Sequence, residues 1–276
     1  MYDALVLLPP NQQVRLLISA YQADWGKACV AFEDGQVLKD HSRGTVWRTE
    51  LLGRECVVKC LRLSTPRRKL QSLLRTSPAW RHWHQARWLL ARGFLTAEPL
   101  AILRGRRKGE GGSGGGVVEC LVLEYLPGQS VLEHLAGGEL PARSEHRVAE
   151  AITHLACRLA SERRYNRDAK PSNLIVTGVD ERGAALAAID CGDLRRCSPN
   201  DEAAIVRMLA SAVIEPMGCG CLPRRGVRMR AVLAAAEVLA PANPRQRARQ
   251  LWRLLEGAVA AHGDATPRDT PLPPRP

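Results

Sequence analysis

The chain has 276 residues, 45% of them apolar and 25% charged, a balance that excludes a low-complexity or disordered protein and suits a globular one with a sizeable core. No apolar run of about 18 residues occurs, which excludes a long spanning helix. The net charge of +12 calls for an anionic partner such as a nucleotide, a phosphorylated sugar or an acidic membrane surface; no nucleic-acid motif accompanies it, so no nucleic acid is expected.

Residues 1–24 leave helix and strand both open. "ACVAFEDGQVLKDH" then reads as a hairpin around Asp34-Gly35, a favoured tight-turn pair. "GTVWRTELLGRECVVKCLRL" repeats the pattern, with a turn near Leu52-Gly53 and a strand from Glu55 to Leu61. The period then changes. "SPAWRHWHQARWLLARG" reads as a helix started by Ser77-Pro78 and stopped by Gly93, with Trp80, Trp83, Trp88, Leu89 and Leu90 on its apolar side. From Cys56 to Ala97 there are nine Lys/Arg and no Asp or Glu.

"PLAILRG" and "VVECLVLEYL" read as strands again, joined by the glycine-rich stretch Arg106 to Gly116. That stretch lacks the following helix and the Lys-Ser/Thr pair of a phosphate-cradling loop. Past "LPG" at Leu126 to Gly128 the chain becomes mostly helical. Ser144 is the expected cap of a long helix carrying Val148, Ile152, Leu155 and Leu159 on one side. "YNRDAKPSNLIV" follows, then a hairpin turning at "VDERG" and ending in "AAIDCGD". Residues 201–262 read as three or four helices, and the Pro-rich residues 263–276 as a disordered tail. The expected class is α+β: a strand-rich N-lobe over residues 1–126 and a helical C-lobe over residues 127–262. The nine cysteines are odd in number and hold no C-x-x-C pair, so reduced, mostly buried thiols are expected rather than disulfides or zinc.

Four separated positions match what phosphoryl transfer needs. Lys59, in the β-branched strand "ECVVKC", can hold phosphates. Asp168 in "NRDAKPSN" can accept a hydroxyl proton. Asn173, five residues later, and Asp190, at the end of an apolar strand, offer oxygen ligands to magnesium. Both ligands flank one hairpin, so local folding can bring them together.

"NRDAKPSNLIV" resembles the protein-kinase catalytic loop H-R-D-x-K-x-x-N, "VVK" resembles the strand lysine of V-A-I-K, and "IDCGD" resembles the D-F-G segment. "LVLEYLPG", with Glu124 and Leu126, is similar to the adenine-binding hinge. Within that superfamily, "SPAWRHWHQARWLLARGFLTAEPLAIL" is similar to the S-x-A-x-R-x-W helix of the bacterial lipopolysaccharide core kinases, which phosphorylate Kdo or heptose. The reduced glycine loop, with Gly44 alone retained, and the lack of an A-P-E segment fit that family as well.

The resemblance implies a bilobal protein-kinase-like fold using ATP and Mg2+. It implies Asp168 as base and Lys170 as a cation beside the migrating phosphoryl group. Lys59, Glu124 and Leu126 would bind ATP, and Asn173 and Asp190 would bind the metal. The implied acceptor is a core sugar hydroxyl. The implied setting is cytoplasmic and peripheral at the inner membrane, with Arg75, Arg81, Arg87 and Arg92 meeting anionic head groups. The chain departs from the kinase pattern at Asn166, Cys191 and His82, the last standing where a helix Glu normally pairs with the strand lysine. Asp190 and Glu98 are the nearest acids left to partner Lys59. A protein Ser/Thr kinase and a nucleotide-binding pseudokinase scaffold are the alternatives.

Overall fold

The structure is a computed structural model that describes residues 35–41, 44–51, 53–106, 117–138, 141–181 and 183–263. The chain divides into two compact units after Leu126. The first strand of the expected Asp34-Gly35 hairpin, most of the glycine-rich stretch and nearly all of the Pro-rich tail lie outside the described residues.

The first unit is an antiparallel sheet in the order β1-β2-β3-β5-β4. Its strands are β1 (Gln36–His41), β2 (Gly44–Leu51), β3 (Arg54–Arg62), β4 (Pro99–Arg106) and β5 (Val117–Glu124). Gly44 is required by packing: a Cβ there would sit 2.2 Å from the carbonyl oxygen of Cys60 on the neighbouring strand. Cys60 and Cys120 face each other across β3 and β5 with Cα atoms 4.0 Å apart and are disulfide-bonded. This corrects the expectation of thiols throughout; the pair is created by strand register, which chain spacing does not reveal. Cys56 and Cys157 remain thiols, and burial pushes each up to about 11.

Two helices follow β3, α1 (Pro66–Leu73) and α2 (Pro78–Leu90). Each opens on a proline behind a hydroxyl cap: Thr65 Oγ1 accepts from the Arg68 amide at 3.3 Å, and Ser77 Oγ from the Trp80 amide at 3.4 Å. The periodicity reading does not predict α1, because its leucines do not mark a buried stripe. In α2 the buried residues are Ala79, Trp80, His82, Trp83, Ala86 and Leu89, whereas Trp88 is half-buried and Leu90 exposed. The expected apolar side was therefore one residue too wide at its end. Trp80 and Trp83 pack on Ile102, Leu121 and Leu123 of the sheet; each such burial is worth about 1.5–3 kcal/mol or more.

The helix pair is also held by a buried carboxylate. Glu119 on β5 is fully buried and accepts from the hydroxyls of Ser72, in the last turn of α1, and Ser77, the cap of α2, one on each oxygen. Both serines are themselves fully buried.

The second unit contains α3 (Val131–Gly137), α4 (Ala142–Ser161), α5 (Glu202–Gly218), α6 (Arg225–Leu239) and α7 (Pro244–His262). A capping box starts α3: the Glu133 amide donates to Ser130 Oγ at 3.2 Å, and the Ser130 amide to Glu133 Oε2 at 2.6 Å. Helix α4 begins two residues before the expected Ser144, directly after Pro141, with no side-chain cap. Its buried Cys157 and Ala160 join Ile205, Leu209, Val232, Leu251 and Leu255 in the main core. Two short pairings complete the unit: β6 (Arg164–Asn166) with β9 (Leu194–Arg196), and β7 (Leu174–Val179) with β8 (Ala184–Ala188). The first was not expected, since three-residue strands carry too little pattern to read. Gly128, at φ +125, lets the chain pass under β7, where a Cβ would meet the Val176 carbonyl oxygen at 2.6 Å.

The Glu119 contacts predict a specific loss. Glu119→Ala leaves two buried hydroxyls without an acceptor and should cost about 1–3 kcal/mol for each, read from urea unfolding. Glu119→Gln, whose amide can still meet both hydroxyls, should cost less than half as much; equal losses would show that the hydroxyl contacts do not carry the effect.

Candidate active site

The loop Tyr165 to Val176 is pinned at both ends before any chemistry is considered. It enters from β6 and leaves through a single 3-10 turn, Pro171–Asn173, into β7. Asn166 is buried, and its side chain works in two directions. Oδ1 accepts from the Asp168 amide at 3.0 Å, and Nδ2 donates to the Asp190 carbonyl at 3.3 Å. A single amide thus ties the loop to the segment after β8. Arg167 adds a second tie, donating to Asp193 Oδ2 at 2.9 Å while its own amide reaches the Asp193 carbonyl at 3.2 Å.

Asp168 keeps about a third of its side-chain surface exposed, at 34%. Lys170 Nζ lies 2.9 Å from its Oδ1, and Asn173 Nδ2 donates to its Oδ2 and to its carbonyl, each at 3.1 Å. Lys170 is half exposed, so this ion pair orients the carboxylate more than it stabilises the fold. Because the Asn173 nitrogen is committed to Asp168, its Oδ1 is the atom left to face a cation.

Hairpin register places Asp190. Leu174 pairs with Ala188, and the Ile189 amide donates to the Asn173 carbonyl at 3.0 Å. Asp190 is the next residue. The structure therefore brings Asp168, Lys170, Asn173 and Asp190 together within the second unit. Among the described residues no group of three or more His, Cys, Asp or Glu is arranged to hold a metal; Asn173 and Asp190, the two expected ligands, carry an amide oxygen and a carboxylate, both hard-oxygen donors. Such a set suits magnesium, which keeps waters and takes phosphate oxygens as its other ligands.

The far side of the loop is fixed by Glu215 of α5. Its Oε2 accepts from the Ser172 amide at 2.8 Å, and its Oε1 from Ser172 Oγ at 2.6 Å. Sequence reading missed both Glu215 and the double role of Asn166. A signal existed for each: a lone acid in the apolar run "LASAVIEPMG", and an amide, both donor and acceptor, directly before Arg-Asp.

The remaining expected residues lie in the first unit. Lys59 stands mid-strand in β3, opposite Val46 and Leu121. Strand alternation puts it on the same face as Val57 and Leu61, which pack against the α2 cluster. Glu124 ends β5 and pairs with Cys56, so it points to the opposite face from Lys59. Leu126 packs against the α2 cluster. His82 is buried on α2. The buried acid on the Lys59 face is Glu119, opposite Leu61 and one row from Lys59, rather than the expected Glu98.

The Glu215 contacts generate a test. In Glu215→Ala the Ser172 amide loses its acceptor, and hydrogen exchange across Ser172 to Leu174 should quicken by about tenfold or more. Unchanged protection would mean that the loop is held elsewhere.

No protein-family model matches the sequence, and no curated protein matches it. Among solved structures the chain is similar to "WaaP in complex with acyl carrier protein": 17% identity, a TM-score of 0.57, and coverage of 96% of this chain and 99% of that one. At that identity the likeness speaks for architecture, and it spans nearly the whole of both chains. The strand-rich first unit and helical second unit form a protein-kinase-like α+β fold.

Proposed function

We propose that the protein is an ATP-dependent kinase that transfers the γ-phosphoryl group to a sugar hydroxyl of the lipopolysaccharide inner core, Kdo or heptose. The observation that carries this reading is Asp168, its carboxylate held by Lys170 and Asn173 and its amide by Asn166, which also reaches the Asp190 carbonyl. The fold likeness to WaaP, a lipopolysaccharide core kinase, supports the acceptor class. So does the resemblance of the α2 sequence to that family.

In this reading Asp168 orients the acceptor hydroxyl and takes its proton as the hydroxyl oxygen bonds to the γ-phosphorus. The bond from that phosphorus to the bridging oxygen breaks, and ADP leaves with the electron pair. Lys170 sits beside Asp168 and offsets charge on the group in transit. Lys59 holds the α- and β-phosphates, while Glu124 and Leu126 border the adenine. Asn173 Oδ1 and the Asp190 carboxylate hold magnesium, which when bound neutralises phosphate charge. Asn166 keeps the base and the metal ligands in one register. Glu215 keeps the loop from drifting.

The test is incubation of purified protein with labelled ATP, magnesium and deacylated core oligosaccharides. The expected outcome is label on a core sugar, lost by about a hundredfold or more in Lys59→Ala. Magnesium-dependent ATP binding with no transfer to any core acceptor would instead make the chain a nucleotide-binding scaffold. Label on protein alone would favour a Ser/Thr kinase.

A further inference from the structure

Helix α1 is built the wrong way round for a helix that only has to pack. The one residue it buries is Ser72, fully enclosed against Glu119. Its leucines face out: Leu70 is 54% exposed, Leu73 63%, and Leu74, at the cap, 64%. Leu70 and Leu74 lie about 160° round the helix axis from Ser72, and Leu73 sits beside them at helical spacing. An amphipathic helix ordinarily turns its apolar stripe to the core. Here the serine–carboxylate contact holds that stripe toward solvent.

The surround of these leucines is cationic. Arg62, Arg67, Lys69 and Arg75 are all exposed around α1, within the stretch from Cys56 to Ala97 that holds nine Lys/Arg and no acid. A leucine face rimmed by cations matches an anionic bilayer: the leucines enter the boundary between head groups and acyl chains, and the cations meet the phosphates. A second copy of the chain fits poorly, because it would set one acid-free basic surface against another.

We propose that α1 is a membrane-docking element that seats the first unit on an anionic lipid surface through Leu70, Leu73 and Leu74. The helix lies just before the basic face to which the sequence pointed and shares Arg75 with it. Arg75, Arg87 and Arg92 of the expected basic face hold their guanidinium groups over Trp80, Trp83 and Trp88, at 5.3, 6.0 and 4.2 Å from the ring centroids. The inference goes beyond the phosphotransfer reading and does not depend on it.

The experiment is co-sedimentation of the full chain, without nucleotide, with vesicles of phosphatidylcholine alone or mixed in equal parts with phosphatidylglycerol. Binding to the mixed vesicles and not to the neutral ones is expected. The triple variant Leu70→Ser, Leu73→Ser, Leu74→Ser should bind at least about tenfold more weakly. Its thermal midpoint should be unchanged, since the three side chains are already exposed. Arg67→Glu with Lys69→Glu should weaken binding by a similar factor, most strongly at low salt.

Equal binding by the triple variant, or no binding of the wild type to mixed vesicles, overturns the proposal. So does leucine-dependent self-association in place of vesicle binding. Transfer to a water-soluble core oligosaccharide, measured on the same triple variant, should match the wild type. A failure of the kinase reading would appear there and leave the vesicle result standing.

Discussion

The buried amide of Asn166 is the contact on which the candidate site depends. The pairings of β7 with β8 and of β6 with β9 bracket the loop at Asp168 and the segment at Asp190, but neither ladder reaches Asp168 or Asp190 itself. Asn166 does so with one side chain, accepting from the Asp168 amide and donating to the Asp190 carbonyl. In a buried setting each of these bonds replaces a lost contact with water, so leaving either unmade costs about 1–3 kcal/mol. A histidine, usual at this position in kinases, also presents one donor and one acceptor when neutral. Asn166 offers the same donor and acceptor in a smaller side chain than the histidine of the pattern that the loop resembles.

A second buried polar group organises the first unit in the same manner. Glu119 costs desolvation energy, which its two serine contacts offset. What the carboxylate adds is orientation. It selects the face of α1 that meets β5, and so determines which residues of that helix are left outside. The exposed leucines are a consequence of the buried serine. Stability and surface chemistry are therefore linked through a residue distant in sequence from both helices.

Much of this was legible in the sequence. Alternation gave away β2 and β3, whose burial follows a period of two, while β4 and β5 read as short apolar runs because both their faces are buried. The Ser-Pro start and Gly stop bounded α2. The loop around Asp168 could be read because its residue order has few purely structural reasons to occur. The illegible parts share a physical cause. Helix α1 has no buried apolar stripe, so periodicity is silent. The Cys60–Cys120 bond and the position of Glu119 on the Lys59 face come from strand register, which is set by the whole sheet. Glu215 reaches Ser172 across 43 positions of sequence, a separation that no local pattern spans.

The central claim is that Asp168 is the base of a phosphotransferase, and its most direct test separates binding from chemistry. Magnesium-ATP affinity and the rate of γ-phosphoryl transfer to a deacylated core sugar should be measured side by side on Asp168→Asn. That change keeps the side-chain size and a partner for Asn173 while removing the proton acceptor. The account predicts ATP affinity within about twofold of wild type and transfer slower by roughly a hundredfold or more. Transfer at the wild-type rate with intact nucleotide binding would contradict it.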